Sequence, residues 1–147
     1  MERGLRASAV ELRPVCFADI QLGVVVDLFL DDALRRVLGF DVLCGDRAHR
    51  YLPLLACDIG ERAIAVHSAL VLMKQELDFY RRRGRALTAV RGFPARRGAH
   101  ALGTLLDLVF TPQGELSALV LETESGLGEV SPDGRLIVGP DALRPAV

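Results

Sequence analysis

The chain has 147 residues, with 18 Lys and Arg against 19 Asp and Glu, and half of it is hydrophobic. That is enough for one ordinary domain or two very small ones, and it excludes wholesale disorder. A formal net charge of −1 excludes global basicity as a route to nucleic acid. No apolar run approaches the roughly 20 residues of a membrane span; residues 63–73 come nearest and are broken by His67 and Ser68. Residues 1–14 contain no apolar stretch like a secretory signal. Cys16, Cys44 and Cys57 form no Cys-x-x-Cys pair, and the expectation is a soluble, reduced, cytoplasmic protein.

Along the chain, a strand is predicted over residues 22–30, which are rich in aliphatic and β-branched side chains. With period two, Val24, Val26, Leu28 and Leu30 face one way and Val25, Asp27 and Phe29 the other. Turns are expected at Cys44-Gly45-Asp46 and Asp58-Ile59-Gly60-Glu61. Residues 73–83 predict a helix with Met73, Leu77 and Tyr80 on one face. Glu76 and Asp78 near its start and Arg81, Arg82 and Arg83 in its last turn match the helix dipole, and Gly84 is expected to end it in a left-handed conformation. The segment 73–85 is expected to be a connector that sets how its two flanks face each other. A second strand is predicted over 102–110, followed by turns at Thr111-Pro112-Gln113-Gly114 and Ser131-Pro132-Asp133-Gly134. Residues 122–128 are expected to be a polar connection between strands. Gly126-Leu127-Gly128 belongs to no Gly-x-Gly-x-x-Gly pattern. The predicted fold class is mainly β, two small antiparallel barrels joined by a short helix.

The organising feature is self-similarity. Shifted by eighty residues, segment 8–30 lies over 88–110 without a gap, with identities at Ala9/Ala89, Val10/Val90, Pro14/Pro94, Leu22/Leu102, Gly23/Gly103, Asp27/Asp107 and Leu28/Leu108. After one deletion in the turn, 37–43 falls over 116–122. The expected organisation is a first repeat at 1–72, a connector at 73–85 and a second repeat at 86–147.

These residues resemble the PRC-barrel domain. Pro14-Val15, Leu22-Gly23-Val24-Val25-Val26-Asp27-Leu28 and 37–43 carry the motif once, and Pro94-Ala95, Leu102-Gly103-Thr104-Leu105-Leu106-Asp107-Leu108 and 116–121 carry it again. Tyr51-Leu52-Pro53-Leu54 is similar to the family's next strand, and 63–70 and 136–143 to its closing segment. The resemblance implies a small, mostly β barrel-like fold with, in general, no catalytic apparatus; no cofactor is expected. Two better-known settings of the family are the photosynthetic reaction-centre H subunit and a ribosome maturation factor. The chain is expected to share neither the membrane helix of the first nor the companion N-terminal domain of the second, so neither function transfers.

Candidate chemistry is sparse. Asp27 and Asp107 stand in apolar strands, but equivalent places in two repeats favour a structural role, accepting backbone or Arg hydrogen bonds beside a turn. Pro14, Gly23, Pro94 and Gly103 complete the structural motif. His49 lies near Cys44 and Asp46 without the four recognisable ligands of a structural zinc site, and no metal is expected. The cysteines sit among apolar neighbours and read as inert thiols. Charge gives the one functional hint: residues 74–97 hold Lys74 and seven arginines against Glu76 and Asp78, a local +6, while 98–147 carry −5. Arg81, Arg82, Arg83 and Arg85 are therefore candidate partner-binding residues. The expected function is a non-enzymatic interaction or scaffold protein that binds a protein partner or itself. The alternative is an RNA- or ribosome-associated assembly factor using the basic connector.

Overall fold

A computed structural model describes residues 4–139, the side chains of Gln75 and Arg83 excepted. The chain is mainly β, with 54% in strands and 16% helical, and its sheet curls as a half-barrel. In chain order the elements are β1 (Leu5–Arg6), α1 (Ala7–Val10), β2 (Pro14–Phe17), β3 (Ile20–Leu30), β4 (Val37–Cys44), β5 (His49–Pro53), β6 (Cys57–Ile59), β7 (Ile64–Val66), α2 (Lys74–Arg83), β8 (Arg85–Ala86), α3 (Leu87–Val90), β9 (Pro94–Arg97), β10 (His100–Phe110), β11 (Leu116–Thr123), β12 (Gly126–Val130) and β13 (Leu136–Val138). The expected closing segment 136–143 is described only as far as Gly139.

Two sheets result. The first runs β5-β4-β3-β2-β7-β6 with β8 also on β3; the second runs β12-β11-β10-β9-β13 with β1 also on β10. The ladders are antiparallel except β2–β7, where Val15 and Ile64 pair in parallel. The long strands β3 and β10 lie eighty residues apart, are both 11 residues long and shift register at matching places. Those shifts fall at Val25/Asp27 and Phe29/Leu30 in one strand and at Leu105/Asp107 and Val109/Phe110 in the other.

The first shift corrects the period-two expectation. A bulge inserts one residue and exchanges the faces, so Val25 lies with Leu28 and Leu30 in the main core while Phe29 turns to the opposite side. Leu105, Leu108 and Phe110 repeat the pattern. Just upstream, a Cβ on Gly23 would collide with the Leu43 carbonyl, and one on Gly103, at φ +143°, with that of Glu122. Only glycine admits so close an approach between neighbouring strands. Pro14 and Pro94 open β2 and β9, where a missing N–H is tolerated.

Buried residues of both sheets form one continuous core, including Val25, Leu28, Phe40, Val42 and Leu52 from one and Leu105, Leu108, Phe110, Leu119 and Leu121 from the other. The sheets also exchange arms. β1 pairs with β10, Leu5 opposite Phe110, while β8 pairs with β3, Arg85 opposite Leu30. The short helices follow suit, α1 packing on β10 and α3 on β3. Residues 5–10, which the sequence groups with the first repeat, thus complete the second sheet.

Three further expectations are corrected. Gly84 ends α2 at φ −96°, not in the left-handed region; its smallness lets the chain pass the Leu30 carbonyl. The turn expected at 131–134 falls two residues later, closed by a hydrogen bond from Leu136 N to Asp133 O at 3.2 Å. Most of the expected connection 122–128 is strand: Leu121 pairs with Gly128 and Thr123 with Gly126.

Candidate functional site

The motif carboxylates lie where the two sheets meet. Asp27 caps its own strand, accepting from Leu28 N at 2.9 Å, and then accepts from Thr88 N at 3.2 Å and Thr88 Oγ1 at 2.5 Å. Asp107 does the same in mirror order. It accepts from Leu108 N at 2.8 Å, Ser8 N at 3.0 Å and the Ser8 hydroxyl. Each aspartate therefore ties its strand to the first turn of a helix that arrives from the other side. A carboxylate so occupied serves structure, because hydrogen bonds to a charged acceptor fix both partners. Asp107 is 6% exposed.

Between these caps, Glu11 meets Arg91. Arg91 Nη1 lies 3.0 Å from Glu11 Oε2, Nη2 bonds to Oε1, and Nε donates to Leu106 O at 3.0 Å. The pair is about two-thirds or more removed from solvent, and the bidentate contact holds the Arg91 proton more tightly than usual. A second contact joins the turns. Arg36 faces Glu115 across an isolated antiparallel bridge, with Val37 N to Gly114 O at 2.7 Å and Leu116 N to Arg35 O at 2.8 Å. A cleft of about 500 Å³ opens there, lined by Arg35, Arg36, Glu115, Ser117 and Ser131.

The helix α2 does not lie in this joint. It covers the outer face of the first sheet, where Leu77 and Phe29 are buried with Tyr51. Tyr80 stacks on Tyr51 with ring centroids 4.0 Å apart and 14° between planes. The Tyr51 hydroxyl donates to Leu38 O at 2.9 Å, and burial pushes its pKa well up. Beside the stack, Asp41, 6% exposed, lies 2.8 Å from His49 Nδ1 and 3.3 Å from Arg81 Nη2. His49 thus faces Asp41 rather than Cys44 or Asp46. Asp46 instead forms a fork with Arg50 at 2.7 and 2.9 Å, which holds its carboxyl well below the usual range.

Most of the basic run has partners inside the molecule. Arg81 pairs with Asp41, Arg85 donates to Val138 O at 2.6 Å, Arg91 clasps Glu11, and Arg97 reaches Asp133 at 2.9 Å and Ser131 O at 2.7 Å. Arg96 donates to Gly98 O at 2.6 Å. Arg82 and Lys74 are exposed on α2; the side chain of Arg83 lies outside the described residues. Arg81 and Arg85 are thus turned to different partners, one on the first sheet and one on the second. Of the thiols, Cys44 is buried, and burial pushes Cys57 up to about 12.

Among the described residues no three His, Cys, Asp or Glu side chains cluster for a metal, and no helix is long and apolar enough to cross a membrane. Neither protein-family models nor curated proteins match the chain. Sequence reasoning passed over Ser8, Thr88, Glu11 and Arg91 as functional pairs, although all four fall in the eighty-residue alignment. The opposite charges at equivalent positions 11 and 91 were the available signal.

Proposed function

We propose that the chain is a non-enzymatic interaction module made of two PRC-barrel-like units, 1–72 and 86–147, folded face to face about an approximate twofold axis. The observation that carries this reading is the reciprocity of the joint. Asp27 with Thr88 and Asp107 with Ser8 are the same contact made twice, as are β1 on β10 and β8 on β3. The side chains that first suggest chemistry have structural partners. Such a body offers surface rather than an active site, and Leu55, Leu70 and Leu127 are exposed apolar points on it. Light scattering and cross-linking of the purified protein and of extracts from its native host test the reading. Discrete self-assembly or one defined protein complex is expected; a strictly monomeric protein that cross-links to nothing contradicts it.

An RNA-associated role draws on the arginines of 74–97, and their internal partners favour the protein-interaction reading over it. Binding that weakens steeply with salt, and with Arg82→Glu, would reverse that preference.

A further inference from the structure

Two positions meet their own equivalents at the joint. Position 11 is equivalent to 91 at a shift of eighty, and 36 to 115 after the single deletion; Glu11 touches Arg91, and Arg36 faces Glu115. On a twofold axis a residue confronts its own counterpart. A joint between two copies of unit 1 would set Glu11 against Glu11 and Arg36 against Arg36. A joint between two copies of unit 2 would set Arg91 against Arg91 and Glu115 against Glu115. Only a unit 1 with a unit 2 places opposite charges at both sites. Like charges directly opposed across an antiparallel bridge repel, and at the half-buried 11/91 site the repulsion is less screened than at the surface.

We propose that these four residues are a pairing code, and that the partner the joint fits is a second copy of this chain, entering by exchange of units. The contacts that join unit 1 to unit 2 can be made equally between two chains: both arms, both aspartate caps, the Glu11–Arg91 ion pair and the backbone bridge that sets Arg36 opposite Glu115. The link to be opened is α2, which is held to the first sheet by Leu77, Tyr80 and Arg81 and, among the described residues, takes part in none of the paired contacts named above. Released as a helix it spans about 15 Å. The code permits this exchange and forbids a unit from pairing with its own kind, which is specificity by repulsion as well as attraction. The proposal needs only the joint, whatever external partner the surface binds.

Complementary full-length variants test it. One carries Glu11→Arg with Arg36→Glu, the other Arg91→Glu with Glu115→Arg; in each, the chain's own units present like charges at both sites. Alone, each is expected to lose about tenfold or more of its folding equilibrium constant. Co-expressed with different tags, they are expected to recover as a 1:1 dimer of twice the 16.0 kDa chain mass, with the urea midpoint restored towards wild type. A single chain carrying all four substitutions restores opposite charges at both sites and is expected to match wild type in oligomeric state and nearly in stability. Three results overturn the proposal. The first is that each variant alone is monomeric and as stable as wild type; the second is that the pair fails to form the dimer while the fourfold chain folds. The third is a fourfold chain as unstable as the single-unit variants, because the charges would then act through their surroundings and not through one another.

Discussion

Leu12 is an apolar side chain 72% exposed and held at φ +65°. Its counterpart eighty residues on is Gly92, at φ +89°, and the two make the same bond, Leu12 N to Val25 O and Gly92 N to Leu105 O. A left-handed conformation costs a residue with a Cβ about 1 kcal/mol, and so exposed a side chain returns little packing. Leu12→Gly is therefore expected to stabilise the protein by about 0.5–1 kcal/mol in urea denaturation, with Leu12→Ala giving no such gain. Two neutral acids set the alkaline behaviour. Burial, with Asp58 adding, raises Cys57 from 9.0 to about 12, and burial raises Tyr51 as well. The fold keeps both protonated while the unfolded chain releases its protons first. Their contribution to stability is complete below about pH 9 and declines as pH rises towards 12. Urea midpoints measured between about pH 8 and about pH 11 should fall, and Cys57→Ala should shallow the slope; a flat profile would contradict the assignment.

At the scale of elements, the aspartate caps and the stack under α2 make separate predictions. Thr88→Val keeps the shape but removes the hydroxyl from Asp27, and Ser8→Ala does the same to Asp107. Each should cost about 1–2 kcal/mol by leaving a partly buried carboxylate oxygen short of a donor. The chain has two tyrosines and no tryptophan, and both tyrosines lie in the α2 stack. Tyrosine fluorescence and the tyrosine band of the near-ultraviolet circular dichroism spectrum therefore report on this contact. Tyr80→Ala should change both signals and cost about 1–3 kcal/mol. The strands β3 and β10 were legible as apolar runs, and α2 from the spacing of Met73, Leu77 and Tyr80. The bulge at Val25/Asp27 was not, because alternation was carried through it, although Gly23 and Gly103 marked the place. The strand β12 was missed because Gly126-Leu127-Gly128 has poor strand propensity and is held by its backbone pairing with β11. Alignment showed that Ser8 and Thr88 are equivalent; that each reaches the opposite aspartate is a tertiary fact with no local trace.

At the scale of the whole molecule, the sheets are mutually dependent. A small unit buries too little apolar surface to be comfortable alone, and here the cores of both merge while each sheet borrows an arm from the other's side. Two barrels that merely touched would unfold in sequence; sheets sharing one core should unfold together. Differential scanning calorimetry of the intact chain tests this most directly. The predicted result is one transition whose van't Hoff and calorimetric enthalpies agree, moved as a whole by Thr88→Val and by Ser8→Ala. Two resolved transitions, with each substitution lowering only one of them, would contradict it.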